Sequence, residues 1–183
     1  SYYGIRRKIF KGTPLLNREI LQVVEEAIKT LRIKSNPQII ISNAAISPFV
    51  YGVLNPKIML PKTLIEKYEA DSFKSILFHE LAHIKRGDTA KGFLQVFLQN
   101  LFWFHPLIYI YNNEMNYSRE EICDNYSLNH HKPVCYASIL AKIAESTLSQ
   151  NKFLGISSMV SSRSELFKRV KNILNPNRTT STN

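Results

Sequence analysis

The amino-acid sequence predicts an α+β domain, mainly helical, with a small antiparallel sheet placed ahead of one chemically distinctive helix. Three observations lead there. Short β-branched runs cluster between Gln38 and Pro61, and apolar residues recur at helical spacing through most of the remainder. On one helical stretch, Phe78-His79-Glu80-Leu81-Ala82-His83 carries an H-E-x-x-H pattern. At 183 residues, 44% of them hydrophobic, the chain is long enough to bury a core without disulfide staples. One domain is expected over residues 1–174, with residues 175–183 as a disordered tail.

The elements follow in order. Ile20, Val24, Ala27, Ile28 and Leu31 mark a helix from Asn17 to Ile33, with Asn17 as its N-cap and Asn36-Pro37 ending it. Gln38 to Ser42 reads as a strand. Ser47 to Leu54 and Lys57 to Pro61 read as two more, joined through Asn55-Pro56. Thr63 to Tyr68 is a short helix. The H-E-x-x-H helix is capped by Asp71 or Ser72 and stops near Gly87.

Phe93 to Tyr111 is the most apolar part of the chain and approaches transmembrane length, but Gln95, Gln99, Asn100, His105 and Pro106 interrupt it. It reads as an amphipathic helix, broken near His105-Pro106 and packed into the core. The alternative is contact with a membrane interface, which Trp103, Tyr109 and Tyr111 would suit. His105, before a helix-starting proline, reads as structural. Asn, Ser and Gly around residues 150–161 suggest a linker, and Leu166, Val170, Ile173 and Leu174 a last helix from Ser162 to Leu174.

Residues four apart on a helix stack on one face, so His79 and His83 can aim two imidazoles at a single Zn²⁺. Glu80 lies one residue round, beside the metal, where a general base would activate water. The bland alternative is an exposed charged helix. Ile76, Leu77, Phe78, Leu81, Ala82 and Ile84 around the motif argue against it. Asp88 either accepts the second N–H of a ligand histidine or caps the following helix.

Two histidines leave a catalytic zinc one protein ligand short. Glu120 and Asp124, four apart, face the same way on a helix, so one can bind the metal while the other holds an imidazole. Glu121 is turned roughly 100° away. Upstream, Pro48, Phe49, Val50, Tyr51, Gly52 and Val53 form a candidate edge strand on which an extended peptide could pair, the plain alternative being a structural hairpin. Tyr126, Tyr117, His130 and Arg119 are unranked candidates for an oxyanion donor. His130-His131 otherwise reads as a solvated helix end.

The formal net charge is +10, from 24 Lys and Arg against 14 Asp and Glu. The basic residues are scattered, with denser groups at Arg6 to Lys11 and Arg163 to Lys171, and no recognition-helix or stacking-aromatic signature accompanies them. Direct nucleic-acid binding is therefore not expected. Ser1-Tyr2-Tyr3-Gly4-Ile5-Arg6-Arg7-Lys8 places aromatics before a basic cluster, a pattern expected just cytoplasmic of a transmembrane helix, so the chain reads as part of a longer membrane protein. Cys123 and Cys135 make no disulfide framework and no C-x-x-C pair, and Cys123 reads as a packed thiol.

Taken together, the segments resemble the zinc peptidase domain of the BlaR/MecR β-lactam-sensor family. The matching pieces are Ser47 to Gly52, Pro56 to Pro61, His79 to Asp88, Trp103 to Leu107 and Arg119 to Asp124, in the family's order. A more distant similarity runs to the HtpX and CAAX-prenyl peptidases. The resemblance implies a zincin-like fold of gluzincin type, one Zn²⁺ on His79, His83 and Glu120, Glu80 as general base, and Asp124 supporting a ligand. It also implies a place on the cytoplasmic face of a bacterial-type membrane and signalling proteolysis, with a transcriptional repressor or the chain itself as substrate. The rival expectation keeps the metal without turnover, as a scaffold relaying a membrane signal to a partner protein.

Overall fold

The computed structural model describes the backbone of residues 13–14, 18–45, 47–67, 70–150 and 156–182. The expected N-cap Asn17 and the aromatic-basic N-terminus lie outside these. Strand β1 (Thr13–Pro14) precedes helix α1 (Arg18–Leu31), whose Val24, Ala27 and Leu31 fall on one buried stripe. Arg32 takes a left-handed φ of 53°, and Ile33 N–H donates to the Ile28 carbonyl at 3.0 Å, closing off the helix.

Strands β2 (Gln38–Ser42), β3 (Phe49–Tyr51) and β4 (Lys57–Pro61) complete a four-stranded sheet in the order β1-β2-β4-β3. The sheet is mixed, not wholly antiparallel as expected. β3 and β4 form an antiparallel hairpin with Val50 opposite Ile58, but β2 and β4 run parallel with Ile40 opposite Met59. The 43–48 connection carries the chain past the position where β4 then inserts. Ile58, Met59 and Leu60 are fully buried, as suits a central strand, whereas all of β3 is half-exposed on the edge. At Gly52, φ is +84°, and a Cβ there would sit 2.6 Å from the Asn55 carbonyl oxygen, so the turn between β3 and β4 requires glycine.

After α2 (Lys62–Lys67) comes α3 (Ala70–Arg86), the central helix. Asp71 and Ser72, expected to cap it, lie within it, since the helix already includes Ala70. Phe73, Leu77 and Leu81 belong to one core with Val24 and Leu31 of α1 and Ile58 of the sheet, which also takes in Cys123, Tyr136 and Ile139 from later helices. Gly87, with φ 67°, ends α3 as expected. Then follow α4 (Asp88–Leu101), α5 (Pro106–Leu128, with Pro106 in its first turn), α6 (Pro133–Gln150) and α7 (Ile156–Ile173).

Three further expectations change. α7 begins six residues before Ser162, within the expected linker, of which residues 151–155 lie outside the description. The expected disordered tail lies against α5: Arg178 donates to Asn125 Oδ1 and to the Glu121 carbonyl, and Asn125 donates to the Ser181 carbonyl at 2.6 Å. The 93–111 stretch breaks at His105-Pro106 as expected but is not core. Phe93, Phe97, Trp103, Phe104 and Ile110 are exposed. No described helix is long and apolar enough to cross a membrane.

Candidate metal centre

One helical turn of α3 sets His79 and His83 side by side, with their Nε2 atoms 3.2 Å apart. α5 packs across α3 and brings Glu120 to the same point: one carboxylate oxygen is 3.4 Å from His79 Nε2 and the other 3.6 Å from His83 Nε2. A tetrahedral zinc with bonds of about 2.0–2.1 Å needs its ligand atoms roughly 3.3 Å apart. Two imidazole nitrogens and a carboxylate at these separations fit that ion.

The other nitrogen of each imidazole faces a buried carboxylate. His79 Nδ1 lies 3.1 Å from Asp124 Oδ1, and His83 Nδ1 lies 2.9 Å from Asp88 Oδ2. Such partners fix the tautomer that leaves Nε2 free to bind metal. Asp88 is the first residue of α4, whose N-cap is Gly87 with no side-chain capping bond, so of the two alternatives read from sequence the structure shows the contact with the histidine and not the cap. Asp124 is one helical turn beyond Glu120 and completely buried, which is why the two carboxylates meet different atoms of the same imidazole.

Two residues that sequence reasoning missed complete the shell. The Tyr136 hydroxyl, fully buried on α6, donates to Asp124 Oδ1 at 2.7 Å and lies 3.1 Å from His79 Nδ1. Arg169 on α7 donates twice to Asp124 and pairs with Glu120 at 2.8 Å. No spacing pattern ties either to the motif. Arg169 lies within the denser basic group from Arg163 to Lys171, for which the sequence suggests no part in the site.

The electrostatics follow from this packing. Burial alone would lower the His79 pKa, but hydrogen bonds to Asp124 and Glu120 raise it to about 10 in the metal-free site. Burial would raise Glu120, yet the His79 hydrogen bond and charge, with Arg169, bring it down to about 2. Asp124 is likewise held well below the carboxylate range, burial being outweighed by Arg169 and His79. At Glu80 burial, with the Glu120 charge, outweighs the lowering charges of His79, His83 and Arg169, so its carboxyl is pushed upward, as a proton acceptor must be to hold a proton. Cys123 Sγ lies 3.3 Å from His83 Nδ1, and burial with the nearby Asp88 and Glu120 charges keeps it a thiol. His83, Asp88 and Cys123 thus form a hydrogen-bonded cluster in the metal-free site.

The site opens into a cavity of about 510 Å³ lined by Glu80, His83, Glu120 and, from the sheet edge, Pro48, Phe49 and Val50. β3 has β4 on one side and no strand on the other among the described residues. Tyr51, Gly52 and Val53 are not among the residues that line the cavity. Of the four oxyanion candidates, only Arg119 lines it. Tyr126 directs its hydroxyl to the Thr182 carbonyl, and the His130 ring packs 4.5 Å from that of Phe78. Tyr117 is not among the cavity residues.

Comparison with known proteins places the chain in a family. The chain is 28% identical over 174 residues to the regulatory protein BlaR1 of Bacillus licheniformis, covering 92% of this chain and 28% of that protein. It is 28% identical over 141 residues to the methicillin resistance mecR1 proteins of Staphylococcus aureus and Staphylococcus epidermidis, covering 72% of this chain and 24% of each. The chain thus spans about a quarter of the length of these relatives. The sequence profile described as BlaR1 peptidase M56 matches residues 1–173. A match over nearly the whole length, including α3, α5 and α7, shows that this chain belongs to the BlaR1 peptidase M56 family.

Proposed function

We propose that this chain is a zinc-dependent endopeptidase module acting in regulatory proteolysis at the cytoplasmic face of a membrane. Its substrate is an extended segment of protein, drawn from a transcriptional repressor or from the module's own polypeptide. The observation that carries the reading is the convergence of His79 Nε2, His83 Nε2 and the Glu120 carboxylate within 3.6 Å of one another, beside buried Glu80 and open to a cavity.

His79, His83 and Glu120 would hold the ion. Zn²⁺ supplies Lewis acidity there, polarising a carbonyl and making water acidic enough to ionise near neutral pH. Glu80 accepts the proton of the attacking water on its carboxylate and passes it to the departing amine. Asp124 and Asp88 keep the two imidazoles in the required tautomer. Arg169 and Tyr136 hold Asp124 in turn. The free edge of β3, from Pro48 to Val50, lays the substrate backbone along the cavity by main-chain hydrogen bonds.

Glu80→Gln separates this reading from a scaffold without turnover. Zinc content should match wild type, while hydrolysis of an unstructured protein such as casein falls by roughly a hundredfold or more. Equal hydrolysis by the variant and wild type would remove Glu80 from the mechanism. Unchanged signalling in cells carrying the variant would favour the scaffold.

A further inference from the structure

Outside the metal centre, the largest unexplained feature is the hairpin formed by α4 and the first half of α5. From Gly92 to Asn113 the chain carries no Asp, Glu, Lys or Arg. Its apolar side chains point outward from both legs and from the turn: Phe93 and Phe97 from one, Ile110 from the other, Trp103 and Phe104 from the tip, the last two 68% and 66% exposed.

Gln95, Gln99 and Asn112 do the opposite. Asn112 donates to Gln99 Oε1 at 2.8 Å, Gln95 donates to the Asn112 carbonyl and Asn116 Oδ1, and Arg119 donates to Gln95 Oε1 at 2.6 Å, all between the legs. Asn100 bonds back to the Val96 carbonyl, and the Tyr109 hydroxyl to the Trp103 carbonyl. A hairpin built for water would bury Phe97 and Ile110 and expose its amides. This one ties Gln95, Gln99, Asn100, Tyr109 and Asn112 into internal hydrogen bonds, leaves His105 and Asn113 exposed, and offers mostly hydrocarbon outward, as lipid favours in a segment entering it.

We propose that the α4–α5 hairpin inserts its tip into one leaflet of a lipid bilayer bearing anionic headgroups. The dimensions agree: the leg from Phe93 to Leu101 is about 13 Å long, close to half of the roughly 30 Å hydrocarbon thickness. It is a wedge, not a span. Charge agrees as well. Lys85 and Lys91, both exposed, precede the uncharged run at its base, in a chain of net charge +10, where anionic headgroups would meet them, while Arg86 pairs with Asp88. A protein groove would cover one stripe of the hairpin, whereas here the apolar groups leave from both legs and the turn. The inference does not depend on the peptidase reading: a chain that binds vesicles yet cleaves nothing would keep one and lose the other.

Trp103 is the single tryptophan of the sequence and sits at the tip, so it reports insertion directly. The full chain is mixed with vesicles of equal parts phosphatidylcholine and phosphatidylglycerol. Trp103 emission should shift to the blue, become sensitive to lipids brominated on their acyl chains, and lose sensitivity to iodide. The double variant Phe97→Ser/Phe104→Ser, checked for wild-type helicity, should partition into vesicles roughly a hundredfold more weakly. Two results overturn the proposal. One is unchanged Trp103 emission and quenching while the chain is folded. The other is a chain whose Trp103 is already shielded in solution by self-association, which assigns the face to a second copy.

Discussion

Arg169 grips Asp124 across 45 residues of sequence, with Nε donating to Oδ2 at 3.0 Å and a terminal guanidinium nitrogen to Oδ1 at 2.7 Å. This two-pronged pair makes α7 part of the metal centre. It orients Asp124, which orients His79, while the remaining guanidinium nitrogen steadies Glu120.

Removing that grip should hurt twice. Arg169→Ala leaves a buried carboxylate without its counter-charge, so stability to denaturant should fall by about 3 kcal/mol. Zinc affinity should fall roughly tenfold to a hundredfold through the loosened imidazole, which competition with a chelator would measure. Wild-type zinc affinity in a folded Arg169→Ala protein would show that α7 only packs against the site.

Zinc loading should release protons. In the metal-free site His79 titrates at about 10, so at neutral pH it is a cation and must lose its proton to bind metal. Calorimetry in buffers of different ionisation enthalpy should find roughly one proton released per zinc. Affinity should rise about tenfold per pH unit below that value, because deprotonation stops opposing binding only above it. A pH-independent affinity between neutrality and pH 9 would contradict a charged His79.

Gly52→Ala should destabilise the fold by more than about 1 kcal/mol, since φ is left-handed and the new methyl would meet the Asn55 carbonyl at 2.6 Å. Because Gly52 directly follows β3, peptide hydrolysis should fall further than stability does, with zinc content intact. An unchanged KM would separate β3 from substrate binding.

The two thiols should differ sharply. Cys135 is exposed and should react with a thiol reagent in the native chain. Cys123 is completely buried and held protonated, so it should react only on unfolding. Titration with and without denaturant gives the two counts, and fast native reaction of both would contradict the packing around His83.

The parts of the site legible in sequence are those fixed by helical period. His79 with His83, and Glu120 with Asp124, are each one turn apart on one element, so their common direction follows from 3.6 residues per turn. Tyr136 and Arg169 reach the site only because α6 and α7 fold back onto α5, and no local pattern announces a lone hydroxyl or guanidinium. The parallel pairing of β2 with β4 was hidden for a related reason: two short apolar strands read alike whichever partner they take. Residues 93–111 misled because an apolar run reads as core from sequence alone, whereas here Phe93, Phe97, Trp103 and Ile110 are exposed.

The exposed edge of β3 has one more consequence. Three residues of strand present only a few main-chain hydrogen bonds, and each contributes about 1 kcal/mol net. Affinity for any free peptide would then be poor, and side-chain selection weak. A segment tethered to the same assembly, however, would meet the cleft at a millimolar effective concentration. A cleft of this kind chooses by address: what is cleaved depends on what is held within reach.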